Sequence, residues 1–343
     1  MPNISIALTT RNGERYLPAQ LESLASQSTL PAELVVCDDA STDGTKAIIL
    51  DFARRSKFPV HFHENETQLG YRRNFMRAVG FCQSELIAFC DQDDIWEPRK
   101  LAAMEQVFED SDVYLAFHNA TVINKRGKPY GRLYKAKPGI EISPPLGRDP
   151  WIVIPGFTQI FRRELTRFSF LHGNSVDVYW PKENQAHDQW FYFLASVLGR
   201  IAFVGEPLAR YRQHGTNAFG WYPDTRSVIE RALLGQYFIR GAIASSRASS
   251  EILQNMLAQL TAEEAGRVVS AINYYGTLHR RLSSRMLIYT SESTLMRLKA
   301  LYAFAKEGGY AGIHGSARFG WKEVLVDAYV GVPFGRIVRR LFP

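Results

Sequence analysis

Two groups of carboxylates mark the first hundred residues, Asp38-Asp39 and Asp91-Gln92-Asp93-Asp94. Each directly follows a short apolar run, Leu34-Val35-Val36-Cys37 in one case and Leu86-Ile87-Ala88-Phe89-Cys90 in the other. Carboxylates crowded without basic neighbours in sequence repel one another unless a cation or ligand joins them. Hard divalent ions, magnesium or manganese, prefer oxygen ligands and bridge phosphate oxygens. A nucleoside diphosphate is the natural partner of such chemistry. Each group also has a plainer reading. Asp38 to Gly44 suits a turn with helix-capping residues, and Asp91 to Asp94 suits a solvated turn before a helix.

The segments that must position these groups alternate in type. Strands are expected at 3–9, 34–37, 59–62, 86–90 and 113–117, from short buried apolar runs. Between them, helical spacing covers 14–27, a segment through Ile48, Ile49 and Phe52 capped by Ser41-Thr42-Asp43, residues 72–81, and a helix opening at Glu97-Pro98. This alternation implies a mostly parallel sheet with helices on both faces, an α/β arrangement. Ligands of such sheets bind beyond the carboxyl ends of the strands, where both acidic groups stand. Residues 124–150 are rich in Lys, Gly and Pro and read as a long loop. Apolar pattern resumes at 151–154 and 157–161, a helix is expected at 188–198 and a strand at 200–204. After Tyr222-Pro223 the chain turns helical, with helices at roughly 226–258, 262–289 and 293–306. A division into residues 1–223 and a helical region 224–343 follows.

The chain has 343 residues, 46% of them hydrophobic, and a net charge of +7. That excludes disorder as the dominant state. No run of apolar residues is long enough for a spanning helix. Cys37, Cys82 and Cys90 make neither a zinc pattern nor a disulfide framework, and a reducing cytosol is the expected compartment. From Arg226 onward there are 16 Lys and Arg against 8 Asp and Glu, a net of +8, which leaves −1 for the first 225 residues. The basic excess is joined to no nucleic-acid reading motif, so no nucleic-acid partner is expected.

Motifs across residues 3–217 resemble the family 2 glycosyltransferases with the GT-A fold, a Rossmann-like sheet. They are Ile6-Ala7-Leu8-Thr9-Thr10-Arg11-Asn12, Asp38-Asp39-Ala40-Ser41-Thr42-Asp43-Gly44, Asp91-Gln92-Asp93-Asp94-Ile95-Trp96-Glu97-Pro98, His187-Asp188-Gln189-Trp190 and Tyr211-Arg212-Gln213-His214-Gly215-Thr216-Asn217. The later motifs are most similar to bacterial rhamnosyltransferases of surface polysaccharide synthesis. The resemblance implies an inverting, metal-dependent hexosyltransferase. Its favoured donor is dTDP-rhamnose, with a UDP-hexose next, and its acceptor a glycan or lipid-linked glycan.

Residue by residue, the resemblance places Thr9, Asp39 and Asp91 at the nucleotide and donor, and Asp93 on Mn2+ or Mg2+ through a D-x-D motif. Asp188 is the implied general base, since a single displacement needs one carboxylate near the acceptor hydroxyl. Asp94 would orient the site or the acceptor. His187 either touches a substrate or packs at a helix start. His214 is either a further metal ligand or a plain loop histidine. Arg72 and Arg212 are candidates for the diphosphate, with exposed helix-start arginine the alternative for Arg72. Trp96, Trp151, Trp180 and Trp190 could offer faces to a sugar or pack. The Q-x-x-R-W motif of processive synthases is missing.

The last residues, 329–343, mix apolar and basic side chains at near-helical spacing. They suit contact with an anionic membrane at its cytoplasmic face, or a packing or homo-oligomer interface. The reading from another class is a non-catalytic GT-A-like scaffold or glycan binder.

Overall fold

The computed structural model describes residues 4–215, 228–311 and 321–333. The chain divides into two compact units. The first comprises residues 1–145, 153–169 and 186–222; the second takes 146–152, 170–185 and 223–343. The second unit thus draws two short segments from within the first 223 residues, which a single cut at 223/224 leaves out.

The first unit is built on β1 (Ile4–Thr10), β2 (Glu33–Asp38), β3 (Val60–Glu64) and β4 (Leu86–Cys90), joined by α1 (Leu17–Ala25), α2 (Thr45–Arg55) and α3 (Tyr71–Phe81). β1, β2 and β4 are buried along their whole length, as continuous apolar strands of a parallel sheet are. β3, β2, β1 and β4 lie side by side in that order, all parallel. Beyond β4 the sheet is mixed. β5 (Ile95–Trp96), α4 (Lys100–Val107), β6 (Val113–Asn124), β7 (Pro129–Arg132), β8 (Ile140–Ser143), β9 (Gln159–Arg162), α5 (His187–Leu198) and β10 (Arg200–Gln213) follow. β9 enters antiparallel between β4 and β6, with Ile160 opposite both Ala88 and Ala116. β6 and β10 pair in parallel, and β5, β7 and β8 add antiparallel edges.

The expected α/β sheet with helices holds, parallel from β3 to β4 and mixed beyond β4. Strand direction leaves no trace in a buried apolar run, so residues 157–161 carried no sign of it. The expected long loop at 124–150 contains β7 and β8. Both are largely exposed and only four residues long; β7 carries Pro129 and Gly131, and β8 follows a Gly- and Pro-rich stretch, which hides them from an apolar pattern.

In the second unit, α6 (Val228–Met256), α7 (Ala262–Thr290) and α8 (Thr294–Lys306) pack in succession, followed by α9 (Trp321–Val326) and a wider turn over Asp327–Gly331. Thr261 and Glu264 close a capping box at the start of α7, and Ser293 caps α8 through the Met296 amide. The borrowed segments lie against α6: Trp151 Nε1 donates to Ser245 Oγ at 3.4 Å. Among the described residues no helix is long and apolar enough to cross a membrane. Of the basic segment 329–343, residues 334–343 lie outside the described residues, as do Thr216, Asn217 and the 223/224 boundary.

Candidate active site

The carboxyl ends of β1, β2 and β4 carry the first part of the site. Thr9 is the next-to-last residue of β1 and nearly buried. Asp38 is taken up locally: its carboxylate accepts from Thr10 Oγ1 at 2.6 Å, Ser41 N at 2.8 Å and Ser41 Oγ at 2.6 Å. Asp39 is held from a different side. Its Oδ1 accepts from Asn65 Nδ2 at 2.8 Å and Leu69 N at 2.7 Å, and its Oδ2 from Gly70 N at 2.9 Å. Gly70 takes φ +82°, a backbone that favours glycine, and this turn aims its amide at Asp39. Oδ2 keeps acceptor capacity for one further donor.

The β1 and β4 loops are tied together by a pair of bonds that imitates a strand ladder. Arg11 N donates to Gln92 Oε1 at 2.9 Å, and Gln92 Nε2 donates to Arg11 O at 3.0 Å. A Cβ at Gly13 would come within 2.2 Å of Gln92 Oε1, so the close approach needs glycine there. The Arg11 guanidinium donates to the carbonyls of Asp39 and Ala40, closing the same cluster of loops.

The acidic loop itself is fastened by β10. Arg212 N donates to Asp94 Oδ1 at 2.8 Å, and Arg212 Nε donates to Asp93 O at 2.8 Å. His214 Nε2 lies 2.6 Å from Asp93 Oδ2. Tyr16 stacks on His214, with ring centres 4.9 Å apart, and the Arg212 guanidinium lies over the same Tyr16 ring at 4.9 Å. Asp94 is fully buried, and its Oδ2 has no hydrogen-bonding partner among the described residues. Burial, then Asp93 and Asp91, push the Asp94 carboxyl well above its usual value. Asp91 is pushed up to about 8 by burial first, then by the charges of Asp93 and Asp188. Asp188, in the first turn of α5, thus stands within electrostatic reach of the acidic loop.

A buried amine lies beneath this group. Lys100 is fully buried at the start of α4, donates to Phe157 O at 2.7 Å and sits 3.3 Å from the centre of the Trp96 ring. Burial pushes the amine down to about 7, against the pull of Cys90, Asp94 and Asp91. In sequence, Lys100 and Tyr16 fall within stretches of helical spacing. Nothing in their spacing marks them, since both reach the acidic loop through tertiary folding.

Other expected residues are placed differently. Trp190 is fully buried beside Phe193, which closes its face to direct contact with a sugar. His187 is buried in an aromatic stack, 3.8 Å from the Phe75 ring centre and edge-on to Phe89. Arg72 opens α3 and lies over Tyr71. Trp96 is buried in the first unit; Trp151 and Trp180 belong to the second, Trp180 being exposed.

Residues 5–170 match the family described as glycosyl transferase family 2. Over this stretch, just under half of its length, the chain is similar to that family. An uncharacterized glycosyltransferase of Nostoc sp. is 29% identical over 223 residues, covering 62% of this chain and 66% of that protein. The Escherichia coli protein WfgD, a UDP-Glc:alpha-D-GlcNAc-diphosphoundecaprenol beta-1,3-glucosyltransferase, is 30% identical over 121 residues, covering 35% of this chain and 47% of that one. The chain spans just under two thirds of the first relative and about half of the second. The structure of S. aureus TarS in complex with UDP aligns with a TM-score of 0.52 at 20% identity, covering 90% of this chain and 88% of that one. This likeness shows the fold, a GT-A arrangement followed by a helical region. Within the matched stretch lie Thr9, Asp39, Arg72 and the acidic loop; Asp188, Arg212 and His214 lie beyond it.

Proposed function

We propose that this chain is an inverting glycosyltransferase that moves a sugar from a nucleoside diphosphate donor to a glycan or lipid-linked glycan in polysaccharide synthesis. The observation that carries the reading is the placement of Asp188 at the head of α5, within electrostatic reach of Asp91 in the acidic loop. In the proposed step, the Asp188 carboxylate takes the proton of an acceptor hydroxyl. That oxygen attacks the anomeric carbon as the bond to the diphosphate breaks, and the nucleoside diphosphate leaves. One displacement inverts the centre, so a second catalytic carboxylate has no part. Asp39 Oδ2 has capacity for a base N–H, with Thr9 on the neighbouring strand.

Asp93 and His214 are joined by a direct 2.6 Å hydrogen bond, and neither side chain is sealed off; parted from each other, the carboxylate oxygen and the imidazole nitrogen are the donor types that suit a divalent ion. Among the described residues no group of three or more His, Cys, Asp or Glu is set to hold a metal alone. Phosphate oxygens and water would complete such a shell, a mode usual for magnesium, while the imidazole favours manganese. The ion would neutralise charge developing on the leaving diphosphate.

For the donor, the wording of the later motifs supports dTDP-rhamnose. The TarS complex with UDP and the glucosyltransferase relative support a UDP-hexose. Thermal unfolding with dTDP, UDP, GDP and ADP, each with manganese or chelator, separates them. A ligand at about 100 times its dissociation constant adds roughly 2.7 kcal/mol of apparent stability. A metal-dependent shift with dTDP above UDP is expected. UDP above dTDP would replace the rhamnose donor by a UDP-hexose, and no shift with any of them would leave a non-catalytic scaffold. Asp188→Asn should cut transfer by about 10²–10⁴-fold while leaving the nucleotide shift in place. Normal transfer by that variant would remove Asp188 as the base.

A further inference from the structure

The helix α8 is mainly apolar on both sides, yet one half of it is bare. Phe304 and Arg297 face inward, and the Arg297 guanidinium is consumed by Val332 O, Ser291 O and Thr294 Oγ1. On the opposite side Leu295 is 62% exposed, Leu298 48% and Tyr302 68%, with Met296 flanking them. A soluble helix normally turns charged and polar residues outward, and one that is apolar all round is normally covered.

The charges on this bare face have one sign. Lys299 and Lys306 lie on it, at helical spacing with Leu295 and Tyr302, and residues 294–306 contain no Asp or Glu. An apolar stripe with lysines that can lift their amines out of it, and a tyrosine at its middle, matches the boundary between lipid headgroups and acyl chains. The single sign of charge selects an anionic surface, in keeping with the net +8 of the chain from Arg226 onward. A second copy of the chain, by contrast, would bring Lys299 and Lys306 against a face of the same sign in any isologous contact.

We propose that the outward face of α8, Leu295, Leu298, Lys299, Tyr302 and Lys306, binds an anionic lipid bilayer, lying in the interface plane. This goes beyond the transfer reaction and does not depend on which donor is used.

The test is co-sedimentation of the full chain with vesicles of phosphatidylcholine alone and of phosphatidylcholine with phosphatidylglycerol, at low and high salt, alongside sedimentation velocity without lipid. Binding is expected to the anionic vesicles and to fall with salt. Lys299→Gln with Lys306→Gln should weaken it about 30-fold, from roughly 1 kcal/mol per lysine near the surface. Leu295→Ser with Leu298→Ser should weaken binding to the same vesicles without changing the melting temperature by more than a few degrees, because both side chains are exposed. Equal binding to both vesicle types, or anionic binding unchanged in both variants, would overturn the proposal. A dimer that dissociates in the leucine variant would overturn it in favour of a second copy as the occupant.

Discussion

Each unit of the molecule buries carboxylates, and the two treat them in opposite ways. In the second unit Asp327 is fully buried and fully partnered. Arg285 Nε donates to its Oδ2 at 2.8 Å and a terminal guanidinium nitrogen donates to its Oδ1 at 3.0 Å. Tyr310 OH donates to Oδ2 at 2.6 Å, and Tyr289 OH donates to Oδ1. In the first unit Asp91, Asp93, Asp94 and Asp188 crowd together with Lys100 as their buried cation, and Asp94 Oδ2 has no partner among the described residues. A buried charge neutralised within the chain fastens structure; carboxylates left in mutual repulsion mark a place made for something from outside. Asp327 therefore reads as a staple joining α7 to the turn after α9, whereas the acidic loop is left in the state that the proposed donor site requires.

The largest effect expected from breaking this contrast is at the staple. Asp327→Asn leaves Arg285 buried without its counter-charge, and losing one partner of a buried pair costs about 3–5 kcal/mol. Urea unfolding should show that loss, while the nucleotide-induced shift of the first unit survives. A variant as stable as the parent would place the two clusters in the same class.

Lys100 gives the next largest effect, through pH. Its amine titrates near 7 when buried and near 10.5 in the unfolded chain. The folded chain therefore holds fewer protons than the unfolded one between those values. The cost of keeping the charge buried is present in full below pH 7 and recedes as pH rises towards 10.5. Relative to Lys100→Met, the parent should gain on the order of 2 kcal/mol between pH 7 and pH 9. Urea midpoints of both chains at the two pH values measure this. Parallel pH dependence would show that the amine is not the group titrating.

Asp91→Asn sharpens the comparison because its sign is reversed. Removing one of several repelling carboxylates should raise the stability of the ligand-free protein by about 1–2 kcal/mol while weakening donor binding. Melting without metal or nucleotide checks it. If Asp91→Asn instead lowered stability as Asp327→Asn does, the acidic loop would be a structural fastening.

Much of this contrast could be read from sequence, and the unread part has physical reasons. β4 falls on the expected 86–90 and α5 begins one residue before the expected 188, because near-complete burial writes a continuous apolar run in strand and helix alike. The acidic group and Asp188 were legible as residue types beside those elements. β6 runs on to Asn124 past the expected end at Phe117, because His118 and Asn119 interrupt the apolar run. Asn119 is buried all the same, its side chain bonded to Tyr134 O and Tyr134 N at 2.9 Å each. Lys100 reads as an ordinary helix start until its burial is seen. The staple was invisible for a similar reason: Arg285 reads as one charge in a basic region, and its partner is distant in sequence. Charge counting along the chain registers the sign of such residues, but only tertiary packing decides whether each charge meets water, a partner or another charge of its own kind.

The smallest expected effect separates redundancy from necessity within the staple. Tyr310→Phe removes one hydrogen bond to Asp327 and leaves Arg285 and Tyr289 on the same carboxylate. The guanidinium still balances the charge, and the lost bond alone should cost about 1 kcal/mol. Because Asp327 keeps its cation, this loss should fall well short of that in Asp327→Asn, in the same urea series. A loss as large as that of Asp327→Asn would mean that the phenol, and not the guanidinium, holds the buried carboxylate in place. The staple would then rest on hydrogen bonding and not on charge neutralisation, and the contrast with the acidic loop would have to be drawn on those terms.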